Sequence, residues 1–293
     1  MIQLDGVSKS FRKTRVVDNL SLRVETGERI ALIGANGAGK TTLIRCILGE
    51  YVSEGSVRVD GLDPRARRAE VLRRVGFVPQ LPPPLKMTVA DLVAFASGVS
   101  GADATRIGMV AGELGLDLRE VAGRPFVKLS GGQKQKLLIA IALGRQTQLL
   151  ILDEPAANLD PAARQTFFQL LATRGDNTMI VSSHRVDEVS ALVTRVIEME
   201  RGRIAFDNRL AEDGLAGAAL RATVAMSRCE PAFVAALEQW GFSRDSAGLV
   251  WRGSVANPDR LRFLCLLSHY SGVIGAVSLA ETSSVETDNN VCA

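Results

Sequence analysis

The amino-acid sequence predicts an α/β fold built on a central, largely parallel β-sheet. Leu149–Leu152 is a strand-length run without a polar residue, which is typical of a strand covered by helices on both faces. Arg29–Ile33 predicts a second short buried strand, and it leads into a glycine-rich loop and then a helical pattern. From residue 214 the composition becomes rich in glycine and alanine, which indicates a linker. We therefore expect an α/β domain over 1–213 and a small α+β domain over 214–280.

An antiparallel layer is expected to precede the parallel sheet. Residues 2–7 and 20–24 alternate between apolar and polar side chains, which indicates two strands. We place a loop around Lys9-Ser10-Phe11 between them. A third short strand is predicted at 57–59, before a turn at Asp60-Gly61.

The stretch that follows is expected to be mostly helical. Asp63-Pro64 predicts the start of a helix, because Asp is a preferred N-cap and Pro suits the first helical position. A buried strand is predicted at 75–78, and Pro82–Pro84 is a stiff, extended connector. Thr88 with Asp91 resembles a capping box, and the helices after it predict a helical subdomain over about 86–145.

The remaining elements of the large domain return to the sheet. Asp160-Pro161 predicts another helix start, and residues 178–182 are a further core strand. Residues 194–199 and 203–206 predict a closing hairpin.

The C-terminal segment has its own alternation of strands and helices. Strands are predicted at 220–226, 248–252 and 273–279. Helices are predicted from Glu230-Pro231 and from Asn257-Pro258. This β-α-β-α-β order favours a ferredoxin-like α+β fold. The polar residues 281–293 are expected to form a flexible tail.

Composition narrows the function classes. The 293 residues carry a formal net charge of +3, so nothing in the charge balance calls for nucleic acid. The four cysteines lie far apart, which indicates no metal or redox motif and suits a reducing compartment. We expect no signal peptide, because the first residues lack a charged start and a long apolar run. We expect no membrane-spanning segment, because no uncharged apolar stretch of about 18 residues or more occurs.

The glycine-rich loop is the strongest chemical motif. Residues 34–42 read Gly-Ala-Asn-Gly-Ala-Gly-Lys-Thr-Thr and match the phosphate-binding pattern G-x-x-x-x-G-K-[ST], with a strand before and a helix after. Inward-pointing backbone N–H groups and the positive helix end form an anion cradle. In such a loop Lys40 reaches the β- and γ-phosphates and the Thr41 hydroxyl binds Mg²⁺. The alternative is a glycine-rich turn that matches by chance.

Two further motifs fit phosphate chemistry. The apolar strand 149–152 ends in Asp153 and Glu154. Asp153 suits Mg²⁺, and Glu154 is placed to polarise an attacking water. Two surface acids that follow a strand are the alternative reading. Leu129–Gln133 is a glycine-rich loop before a helix, which is either a second anion site or an ordinary helix cap.

Taken in order, these motifs resemble those of the ATP-binding subunits of ABC transporters, over residues 1 to about 210. The ordered set continues with Gln80 as the Q-loop glutamine, Asn158-Leu159-Asp160 as the D-loop and His184 as the switch histidine. Phe11 falls where the family places an aromatic that stacks on adenine.

The resemblance implies a set of site residues. It assigns catalysis to Glu154, His184 and Gln80, and Mg²⁺ binding to Thr41, Gln80 and Asp153. It assigns ATP binding to Phe11, Gly34, Ala35, Asn36, Gly37, Ala38, Gly39, Lys40, Thr41, Thr42, Ser130, Gly131, Gly132, Gln133 and Asp160. The signature loop, residues 129–133, is expected to act on the ATP of a partner chain.

Three positions depart from the family pattern. Ala156 stands where Thr or Ser is usual, Asn158 where Gly is frequent, and Lys136 in place of an Arg. None of them removes a catalytic group, so hydrolysis is still expected.

The resemblance also implies partners. Two ATPase chains, most simply a homodimer, are expected to enclose two ATP molecules at the inner face of the cell membrane. A transmembrane permease subunit is expected to carry the substrate, more in the manner of an exporter. Some exporter ATPases, including the one that serves copper-site maturation of nitrous oxide reductase, have a comparably long tail. The alternatives are a soluble ABC ATPase that drives assembly of another complex, such as iron–sulfur cluster machinery, and a DNA-repair or ribosome-acting ABC protein.

Overall fold

The computed structural model describes residues 1–175, 177–183, 189–209, 220–245, 249–255, 263, 266–267 and 270–281. Contacts between residues divide the chain into two compact units. The first consists of Met1–Arg185 and Leu192–Leu210, and the second of Val186–Ala191 and Ala211–Ala293.

The first unit contains nine described strands and seven described α-helices. The strands are β1 (Ile2–Phe11), β2 (Thr14–Val24), β3 (Arg29–Ile33), β4 (Glu54–Val59), β5 (Val75–Val78), β6 (Leu149–Asp153), β7 (Thr178–Ser182), β8 (Arg195–Glu200) and β9 (Arg203–Arg209). The helices are α1 (Lys40–Ile47), α2 (Arg68–Arg74), α3 (Val89–Ser100), α4 (Ala104–Glu113), α5 (Leu118–Val121), α6 (Gly131–Gly144) and α7 (Pro161–Ala172).

A six-stranded sheet forms the centre of this unit, in the order β5-β6-β7-β3-β8-β9. The pairs from β5 to β8 are parallel, and β9 closes the edge as an antiparallel hairpin with β8. Every residue of β6 and β7 is buried, and apolar side chains predominate in both strands. The carboxyl ends of β3 and β6 meet at the same edge of the sheet, with only β7 between them. Ligands bind at this edge in open α/β sheets.

The antiparallel layer consists of β2, β1 and β4 in that order. Ile2, Leu4 and Val17 pack in the same hydrophobic core as Ile30 and Leu32 of β3. The loop expected around Lys9-Ser10-Phe11 is wrong, because these residues continue β1 and pair with β2. The turn instead lies at Arg12, whose φ of 54° reverses the chain.

Helix α2 begins later in the chain than the sequence predicts. Asp63 does not start a helix; its carboxylate accepts hydrogen bonds from the N–H groups of Arg65 and Ala66 in a local turn, and α2 begins only at Arg68. The Thr88 cap of α3 is confirmed, since its hydroxyl accepts from the Asp91 N–H. The short helix α5 was not expected from the sequence.

The second unit is built around a four-stranded antiparallel sheet. Its strands are β10 (Leu220–Met226), β11 (Ser243–Arg244), β12 (Val250–Val255) and β13 (Ile274–Glu281), in the order β11-β12-β10-β13. Helix α8 (Pro231–Gln239) follows β10. The short strand β11 adds to the three expected strands and gives the strand order of a ferredoxin-like sheet. The helix expected from residue 257 and the tail after 281 lie outside the described residues.

The second unit has its own hydrophobic core, which lies on one face of its four-stranded sheet. Phe233 and Leu237 of α8 are buried together with Trp251 of β12 and Phe263. Among the helices that the structure describes, none is long and apolar enough to cross a membrane.

Candidate functional site

The phosphate-binding loop joins β3 to α1 at the carboxyl edge of the sheet. Gly34, Gly37 and Gly39 all have positive φ, at 145°, 84° and 108°. Gly39 is the N-cap of α1, so the first N–H groups of the helix open towards the loop. Unpaired N–H groups at a helix start attract anions.

Two of these glycines are needed for different reasons. A Cβ atom at Gly39 would lie 2.7 Å from the carbonyl oxygen of Val16, which belongs to the neighbouring strand β2. A Cβ atom at Gly37 would meet no atom within 4 Å, so there only the backbone angle calls for glycine.

Lys40 is the buried cation of the loop, with 6% of the residue exposed. Its ammonium group donates hydrogen bonds to the carbonyl oxygens of Gly34, at 2.6 Å, and Ala35, at 3.4 Å. The Lys40 Nζ also lies 3.9 Å from Glu154 Oε1. The fold thus brings one positive and one negative side chain together from distant parts of the sequence.

A cavity of about 250 Å³ opens beside this pair. Besides Lys40 and Glu154, its lining includes Gln80, which follows β5, and Val16 of β2. The rest of the lining is the loop and the start of α1, residues Asn36, Gly37, Ala38, Gly39, Thr41 and Thr42. This volume is somewhat below the roughly 300–1,000 Å³ typical of small-molecule sites.

Asp153, the last residue of β6, and Glu154, which follows it, are both held by one serine. Ser182, at the end of β7, donates from its hydroxyl to Asp153 Oδ1 at 2.6 Å. The same Ser182 oxygen accepts from the Glu154 N–H at 2.9 Å. Glu154 has a φ of 48°, which is rare for a residue with a side chain and is found mainly where the surroundings enforce it. Ser182 therefore orients both acids from the neighbouring strand.

The residues expected to hold Mg²⁺ are Thr41, Gln80 and Asp153. Thr41 and Gln80 line the cavity, whereas Asp153 is not part of the lining and is 1% exposed. A hydroxyl, an amide oxygen and a carboxylate are the hard oxygen ligands that Mg²⁺ prefers. The residues present therefore fit the ion in their chemistry.

The signature loop forms the N-terminus of α6. Ser130 and Gln133 make a complete capping box, in which each side chain accepts from the backbone N–H of the other residue. The Lys136 ammonium lies 2.7 Å from the Asp160 carboxylate. This hydrogen bond to Lys136 is the largest reason that the pKa of Asp160 lies below its ordinary value.

Phe11 lies at the end of β1 and is not part of the cavity lining. Its ring meets Tyr51 edge-on at 5.2 Å between centroids, and the Lys9 ammonium lies 4.9 Å from its centroid. The ring is 41% exposed. The expected stacking of Phe11 on adenine stays a prediction.

Comparison with known proteins decides the family. A family model described as ABC transporter matches residues 17–157. The chain is 38% identical over 212 residues to the Nod factor export ATP-binding protein I of Paraburkholderia xenovorans, a match that covers 69% of this chain and 68% of that relative. The chain belongs to the ABC transporter family. It is thus an ABC ATPase domain, of the kind that hydrolyses ATP.

Two further matches show how much of each chain the similarity covers. A phosphonates import ATP-binding protein of Anaeromyxobacter dehalogenans is 35% identical over 225 residues, which are 70% of this chain but only 45% of that relative. A solved structure described as the dimeric structure of MJ0796, a bacterial ABC transporter cassette, superimposes with a TM-score of 0.64 at 25% identity. It covers 72% of this chain and 99% of the cassette.

The structure of this ABC ATPase brings some of the expected residues together and not others. The phosphate loop, Gln80 and Glu154 share one cavity. Ser130–Gln133 and Asp160 are absent from its lining, and their contact with ATP stays a prediction. His184 lies outside the described residues.

Sequence reasoning missed three residues at this site. Val16 lines the cavity, Ser182 orients the two acids, and Gln135 donates to the carbonyl of Pro155. The position of Ser182 at the end of a buried strand next to β6 was the available signal, because carboxyl ends of parallel strands meet at one edge. For Gln135 the signal was a polar residue on the inner side of a helix with an apolar face.

Proposed function

We propose that this chain is the ATP-hydrolysing subunit of a membrane ABC transporter, and that two copies close head to tail around two ATP molecules. The observation that carries the proposal is the shared cavity of the phosphate loop, Lys40 and Glu154, with Lys40 Nζ 3.9 Å from Glu154 Oε1. A cation for the phosphates and an acid for the attacking water are the two charged groups that phosphate hydrolysis needs.

Different residues bind the phosphates, hold Mg²⁺ and accept the proton. The loop N–H groups and Lys40 hold the β- and γ-phosphates, and Thr41, Gln80 and Asp153 would hold Mg²⁺, which neutralises phosphate charge when bound. Glu154 accepts a proton from a water molecule while the water oxygen bonds to the γ-phosphorus and the bond to the β-phosphate oxygen breaks. His184 is proposed to contact the γ-phosphate. Most of the rate enhancement comes from positioning and charge stabilisation rather than from covalent chemistry.

The second copy supplies what this cavity lacks. The signature loop begins α6 with its capping box intact, and it lies outside the cavity of its own chain. A loop with free N–H groups at a helix start is suited to bind the phosphate of another chain's ATP. The dimeric cassette MJ0796 has the same fold, which supports a homodimer here.

A permease subunit is proposed to dock on residues 81–99. This segment contains three large apolar side chains that are strongly exposed, Leu81 at 74%, Phe95 at 58% and Val99 at 59%. Large exposed apolar side chains are available for contact with a partner protein. The stiff run of three prolines before α3 transmits movement without bending.

Export is the direction that we propose, with the chain at the cytoplasmic face of the membrane. The Nod factor relative, named as an export protein, supports this direction. The phosphonate relative is named as an import protein, so similarity supports transport in general more strongly than it supports export.

The test uses the purified full chain and membranes from the same cells. We expect Mg²⁺-dependent release of phosphate from ATP, and a cross-link from Lys86 to a multi-spanning membrane protein. ATP hydrolysis without any cross-link to a membrane protein would overturn the transporter assignment and favour a soluble assembly ATPase. Transport into or out of vesicles that contain the captured subunit then decides direction.

A further inference from the structure

Gln135 is a buried polar residue that the proposed mechanism does not use. It lies on α6, five positions after Ser130, and none of its surface is exposed. Its amide nitrogen donates to the carbonyl oxygen of Pro155 at 2.9 Å. This orientation is required by chemistry, because a carbonyl oxygen only accepts, and the opposite orientation would set two oxygens against each other.

Pro155 directly follows Glu154, so this bond holds the backbone next to the proposed base. On its other side, the Glu154 N–H is held by the Ser182 hydroxyl at 2.9 Å. Glu154 itself has a φ of 48°, a conformation that persists when the surroundings enforce it. Ser182 and Gln135 thus each hydrogen-bond this backbone, Ser182 at the N–H of Glu154 and Gln135 at the carbonyl of Pro155.

We propose that Gln135 is a positioning residue for Glu154, which it orients through the carbonyl of Pro155. The inference rests on the proposed function, since it takes Glu154 as the base. In this role Gln135 links α6 to Glu154 of the same chain. The first residues of α6 belong to the signature loop.

Two other contacts make α6 and the loop after Glu154 a connected body. The Lys136 ammonium lies 2.7 Å from the Asp160 carboxylate. A Cβ atom at Gly132 would lie 3.2 Å from the carbonyl oxygen of Asn158, so the helix and the loop run close together there. A displacement of the signature loop by the partner's nucleotide therefore also displaces Gln135, and through it the backbone of Glu154.

The amide oxygen of Gln135 argues against a role in packing alone. It is buried and has no hydrogen-bond partner among the described residues. A buried polar atom without a partner lowers stability, and an apolar side chain of the same length would remove that cost. Gln135 is therefore better explained by its bond to Pro155 than by its contribution to folding.

The test replaces Gln135 with methionine, which has similar length and no donor. The matched control is Gln165→Met, the same change at an exposed position of α7. Turnover of MgATP, nucleotide affinity in the absence of turnover, and the melting temperature are measured for the full chain and both variants. The ATP-bound dimer is followed by size exclusion.

We expect Gln135→Met to lower kcat about 10- to 100-fold, since small misplacements of a catalytic group have effects of this size. Nucleotide affinity should stay within about 3-fold and the melting temperature within about 4 °C, a shift that corresponds to a small change in folding free energy. The ATP-bound dimer should accumulate, because closure remains possible while hydrolysis is slow. Gln165→Met should behave as the wild type in each measurement.

Two results overturn the inference while the proposed function stands. One is a wild-type kcat in Gln135→Met. The other is a parallel loss of turnover, nucleotide affinity and melting temperature, which identifies Gln135 as a packing residue. An inactive wild-type chain, by contrast, overturns the proposed function and this role together.

Discussion

Replacing Gly39 with alanine should destabilise the first unit far more than the same change at Gly37. At Gly39 the φ of 108° costs a residue with a side chain about 1–2 kcal/mol of unfolding free energy. The new Cβ atom would lie 2.7 Å from the Val16 carbonyl oxygen, a backbone atom that cannot rotate away. Overpacking of this kind adds about 1–3 kcal/mol, so we expect a total loss of about 2–5 kcal/mol. At Gly37 the φ of 84° brings only the conformational cost, because no atom lies within 4 Å.

The assay is urea unfolding of the full chain, with the free energy of unfolding compared between the two variants. Far-UV circular dichroism follows both units. Both tryptophans, Trp240 and Trp251, belong to the second unit, so their fluorescence identifies the transition of that unit. Equal losses for Gly39→Ala and Gly37→Ala would refute the reasoning, because they would show that contact with the Val16 carbonyl has no energetic weight.

Four further outcomes are expected. Lys40→Ala should abolish ATP binding or hydrolysis, since it removes the loop cation; wild-type turnover in the purified variant would contradict the loop assignment. Glu154→Gln should keep ATP binding and lower turnover by about 10²–10⁴, since the amide is a very poor base, and an ATP-bound dimer should accumulate on size exclusion. Lys136→Met should raise the pKa of Asp160 towards its ordinary value of 3.8, because the Lys136 hydrogen bond is the largest cause of the depression. The stabilisation from this pair is present above that value and is lost as pH falls through the lowered pKa, and NMR titration of the Asp160 carboxylate measures the change; an unaltered pKa would refute it. Deletion of residues 214–293 should leave nucleotide binding by the phosphate loop intact while it alters dimer stability or coupling, and complete loss of ATP binding would show that the segment helps to build the site.

The sequence by itself determined the parts of the site that are local in the chain. The phosphate loop combines a strand, glycines at positive φ and a helix start within residues 29–48, so one contiguous pattern specifies it. The buried strand β6 before Asp153 and the capped start of α6 are likewise local. Backbone propensities and capping act over a few residues, and a pattern of residue types is enough to predict them.

Only the tertiary structure decided which residues surround Glu154. Ser182 is 28 residues away from Glu154 in the chain, and Gln135 is 20 residues away from Pro155. Their sequence context, the end of a buried strand and the inner side of a helix, does not specify which residues they contact. Pairing of β6 with β7 brings Ser182 to the acids, and packing of α6 brings Gln135 to the Pro155 carbonyl. The continuation of β1 through Phe11 was decided in the same way, by pairing with β2, which supplies hydrogen bonds that the single strand lacks.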